Sequence, residues 1–97
     1  MNTANLQLEG LYAAVSALMG ALREKDVLSQ EEIDTCLARA EKLNASCRRT
    51  ELPAANLEAI LFPFRYLRAA NAASEPKSFS EIATAIGMRK DDDIRPS

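Results

Sequence analysis

Leu28-Ser29-Gln30-Glu31-Glu32-Ile33 carries the sharpest local signal in the chain. A serine followed three residues later by a glutamate is a capping box, in which each side chain satisfies the other residue's backbone N–H at a helix start. Leu28 and Ile33 bracket it at the spacing of a hydrophobic staple. A helix is therefore expected from Ser29 to about Cys47. Ile33, Cys36, Leu37, Ala40, Leu43, Asn44 and Cys47 fall on one stripe at about 100° per residue, while Glu31, Asp34, Arg39, Glu41 and Lys42 fall mostly elsewhere.

Upstream, Asp26-Val27-Leu28 reads as a tight turn closing an earlier helix over about Thr3–Lys25. Leu8, Leu11, Val15, Leu18, Met19 and Leu22 share one side of that helix, and Gly10 and Gly20 interrupt it. So short a turn predicts an antiparallel helical hairpin.

Downstream, Pro53 suits the first turn of a third helix with Thr50 as its cap, running to about Ala73. Pro63 lies inside it, which predicts a kink or break near Ala59–Phe62. Leu57, Ile60, Leu61, Phe64 and Leu67 form one apolar face; Ala55, Ala59, Phe62, Tyr66, Ala69 and Ala73 form a second. Residues 74–77 read as a linker. Ser78 with Glu81 repeats the capping box, and a short helix from Phe79 to Ile86 is expected to stop at Gly87. Residues 89–97 read as a disordered tail. The expected fold is all-α: a small helical bundle over residues 1–88, with an N-terminal antiparallel hairpin, a proline-interrupted third helix and a short C-terminal helix.

Composition narrows the function classes. The 97 residues are 47% hydrophobic and 27% charged, with a formal net charge of −2. That is too apolar for a disordered chain. There is no histidine, so the commonest general base and metal ligand is missing. No reaction motif replaces it, and the expectation is a protein that is not an enzyme and takes no cofactor or metal. Asp91-Asp92-Asp93 reads as solvated charge rather than an organised cation cage. Cys36 and Cys47 lie eleven residues apart, roughly 16 Å along one helix and beyond disulfide reach. Both read as small buried residues. The apolar-rich run Leu11–Leu22 is a dozen residues, where a membrane span needs roughly 20. A cytoplasmic protein without membrane contact is expected.

Two groups of residues stand out as candidate contacts. A helix apolar on two sides is either central in its bundle or covered by another chain. Phe62, Tyr66, Ala59 and Ala69 are thus core, or the interface of a homodimer or of another protein partner. Arg48, Arg49, Arg65 and Arg68 make the middle of the chain mildly basic, offering an anion or nucleic-acid contact as the alternative. The net negative charge gives nucleic-acid binding no support. The stretch Ser78-Phe-Ser-Glu-Ile-Ala-Thr-Ala-Ile-Gly-Met88 resembles the first half of the helix-turn-helix of bacterial regulators. That resemblance implies a supporting helix and turn. It covers eleven residues, and Arg89-Lys90-Asp91-Asp92-Asp93 follows where a base-reading helix would begin.

Overall fold

The computed structural model describes residues 3–48, 52–73 and 79–94; of residue 48 and residues 88–94 only the backbone is described. The fold is the expected small all-α bundle of four helices: α1 (Thr3–Glu24), α2 (Gln30–Arg48), α3 (Ala54–Ala72) and α4 (Phe79–Ile94). The most extensive packing is between α2 and α3, and α3 also packs against α1 and α4. Helix α3 is the shared partner of the other three, which is the place its two apolar faces call for.

The capping of the turn between α1 and α2 is as the sequence predicts, but the two helices make little contact with each other and each packs mainly on α3 instead. Ser29 Oγ accepts the Glu32 N–H at 3.0 Å, and the Ser29 N–H donates to Glu32 Oε1 at 2.8 Å. Leu28 packs against the core cluster that contains Ile33. Helix α1 ends in a Schellman motif: the Val27 N–H reaches the Leu22 carbonyl at 3.0 Å and the Asp26 N–H reaches that of Arg23 at 3.1 Å. Asp26 holds the left-handed position at φ 56°, which aspartate tolerates better than most residues.

Pro63 does not break α3, which is one continuous helix from Ala54 to Ala72. Proline has no N–H for the Ala59 carbonyl, but Ala59 lies on the exposed side, so the missing bond is not buried. Pro53, expected in the first turn, is the N-cap residue, with φ −57° and ψ 154°. The Thr50 cap and Ser78 of the second capping box lie outside the described residues. Gly87 does not end α4. Residues 89–94, expected in a tail, continue the helix to Ile94, because a glycine costs only about 1 kcal/mol in a helix interior and does not forbid it. Residues 95–97 lie outside the described set.

The core is Tyr12, Met19, Ile33, Tyr66, Leu67 and Ile82, with Val15, Leu22, Leu28, Leu37, Phe62, Phe79 and Ile86 packed around it. One polar residue sits inside the bundle. Asn71 is 2% exposed and joins three helices at one corner. It accepts from Arg23 at 2.6 Å, donates to the Gln30 carbonyl at 2.9 Å, and takes the Gln30 side-chain N–H on its own carbonyl at 2.8 Å. The α1–α2 turn is thereby tied to the end of α3.

Candidate functional site

Of the four residues expected at an interface, Tyr66 is buried within the chain, Phe62 and Ala69 are half-buried against the core, and Ala59 is exposed. On the second apolar face of α3 the stretch from Phe62 to Ala69 packs into the core, while Ala55 and Ala59 stay exposed. Tyr12 from α1 and Phe79 from α4 close on Phe62 and Tyr66 to form a cluster of four rings. Its closest stacks are Tyr12 on Tyr66 at 4.9 Å and Tyr66 on Phe79 at 5.2 Å between centroids. Burial raises the pKa of Tyr12, with Tyr66 adding to it, and raises that of Tyr66, with the Glu9 carboxylate adding to it. Within the chain Tyr66 is core, and Phe62 and Ala69 pack against it.

The arginines are engaged inside the fold. Arg68 donates through Nε to Asp34 at 2.9 Å and lies 3.4 Å from Glu41; Arg65 meets Glu58 at 2.5 Å and Glu41 at 3.4 Å. The Asp34 hydrogen bond raises the Arg68 pKa against the opposing effect of burial. Burial lowers that of Arg65, and Glu58 and Glu41 more than restore it. These guanidiniums fasten α3 to α2 and are already paired with carboxylates. The side chains of Arg48 and Arg49 lie outside those described. Among the described residues no cluster of three His, Cys, Asp or Glu could hold a metal, and no helix is long and apolar enough to cross a membrane.

This charged seam also corrects the expectation for α2. Asp34 and Glu41, two turns apart, face α3 with Ile33 and Leu37 between and beside them. Cys36, Leu43 and Cys47 are thereby turned outward, and both thiols are free and exposed rather than buried. The missed signal was the seven-residue spacing of Asp34 and Glu41 opposite the paired Arg65 and Arg68.

Helix α1 is rotated in the same sense. Tyr12, rather than Leu11, faces α3, with Met19 buried and Val15 and Leu22 half-buried. Leu8, Leu11 and Leu18, expected on the buried side, point to solvent, the last two at 57% and 65% exposure. Between Glu9 and Arg23 the chain carries no charge. The exposed residues of that stretch are Gly10, Leu11, Ala13, Ala14, Ala17, Leu18 and Ala21, without one polar side chain. A solvent face of a helix is ordinarily charged or polar. This exposed apolar strip along α1 is the candidate contact surface of the described residues.

No family model, curated protein or solved structure matches the chain.

Proposed function

We propose that the protein is a helical protein-interaction module working in the cytoplasm, acting by contact rather than by catalysis, with the outward face of α1 as its contact surface. The observation that carries this reading is the uncharged strip Leu11–Ala14–Leu18–Ala21, exposed along α1. Leucines spaced seven residues apart with alanines between them suit an apolar helix laid alongside, since the small residues let the two backbones approach. The free, exposed Cys36 and Cys47 are in keeping with a reducing compartment.

The test is in-cell cross-linking of the tagged chain in its native cells, with wild type beside Leu11→Glu/Leu18→Glu. Both leucines are exposed, so the variant keeps its helical circular dichroism. The expected result is at least one cross-linked species present with wild type and lost with the variant. An identical set of species from the two would overturn the reading.

A further inference from the structure

We infer that the occupant of this face is α1 of a second copy of the chain, laid antiparallel, with Leu11 against the partner's Ala21 and Ala14 beneath the partner's Leu18. The inference rests on the interaction reading above and names the partner of that same surface.

Three observations carry it. Residues 10–22 are the longest uncharged run in the chain, so α1 is its own best match: among the described residues no other helix offers an exposed strip as long without stranding a charge in the contact. The order of sizes, Leu11, Ala14, Leu18, Ala21, reads large-small-large-small, and reversing it aligns each leucine with an alanine. A parallel pair would instead stack leucine on leucine and alanine on alanine, leaving uneven layers.

Charge chooses the same direction. Lys25, two turns beyond Leu18, continues the strip at its C-terminal end, and Gln7 continues it at the other. Antiparallel pairing sets each lysine opposite a glutamine; parallel pairing sets the two lysines against each other. The opposed helix dipoles add to this preference. Gly10, beside the strip, would meet nothing within 4 Å if given a Cβ, so no neighbour inside the chain requires a glycine there. The structure leaves open room on this side for a second helix.

A two-fold contact of this kind is closed and self-limiting, giving a dimer rather than a fibre. Helix α1 is about 33 Å long, and two such helices meet at the lower end of the size range of stable interfaces, near 1,200 Å². The pair is therefore one that dissociates on dilution.

The experiment uses the purified full chain with Cys36→Ser and Cys47→Ser, both sites being exposed. Ala14→Cys and Leu18→Cys are introduced in separate preparations, then oxidised mildly alone and mixed. The expected outcome is a disulfide-linked dimer that forms predominantly in the mixture, joining Ala14→Cys of one copy to Leu18→Cys of the other. Equal or stronger linking of either preparation to itself would overturn the antiparallel register, and no linking at any concentration would overturn self-pairing. If linking fails while the in-cell species are still lost in Leu11→Glu/Leu18→Glu, self-pairing falls and the interaction surface stands. If both fail, both fall.

Discussion

The ring of Tyr12 stacks on that of Tyr66, with centroids 4.9 Å apart and planes 24° from parallel. This contact sets how α1 sits on α3, and Phe79 stacks on both rings from α4. Replacing Tyr66 by alanine empties the middle of the cluster. A loss of about 3–5 kcal/mol in unfolding free energy is expected, as for other large buried aromatics. Urea denaturation of Tyr66→Ala, with Tyr66→Phe as a near-isosteric control, checks it; equal stability of the alanine and phenylalanine variants would remove the cluster from the core.

Alkaline titration reads the same two rings. Burial raises the pKa of both phenols above their ordinary 10.0, so the folded chain favours the neutral forms. Their contribution is complete below pH 10 and is lost as pH rises through the elevated folded values. Urea midpoints measured across this range for wild type and Tyr12→Phe/Tyr66→Phe should diverge only above pH 10, with wild type falling faster.

Asn71 is the single buried polar side chain of the described core, and its amide answers groups on α1 and α2. In Asn71→Leu the Gln30 carbonyl and the Arg23 guanidinium lose their partner at a partly buried corner. The expected cost is about 1–3 kcal/mol. Denaturation midpoints decide it, and an unchanged midpoint would show that the corner is wet.

The α2–α3 ion pairs are worth less. Arg68 and Asp34 are both more than a third exposed, at 39% and 45% of their side chains. Screened pairs of that kind contribute about 1 kcal/mol or less. Arg68→Gln should therefore lower stability by no more than that, and the difference should shrink in about 1 M salt. A larger, salt-independent loss would mean that Arg68 acts through packing.

Local chemistry was legible in the sequence wherever a few adjacent residues determine the outcome. The capping box at Ser29 and Glu32, the staple residues Leu28 and Ile33, and the start of α2 follow from contacts within one turn. The azimuth of each helix did not follow, because it depends on what lies across the interface. Leu11 and Tyr12 are both apolar neighbours on α1, and only the stacked rings of Tyr66 and Phe79 select Tyr12 for the inside. In α2 the acidic residues at 34 and 41 read as solvated charges until Arg65 and Arg68 stand opposite them. Cys36 and Cys47 moved outward as a result. The same rotation exposes Leu11 and Leu18, so the candidate surface was hidden in a stripe that reads as core. One feature did point to it: thirteen residues without a charge, a run too short to cross a membrane.

Solution mass by light scattering coupled to size-exclusion chromatography, over a wide range of loading concentrations, tests the surface on α1 most directly. Wild type is expected to move with concentration between 10.6 kDa and twice that value, while Leu11→Glu/Leu18→Glu stays at the monomer mass throughout. A wild-type chain that remains monomeric at every concentration, or a variant that pairs as well as wild type, would contradict the account.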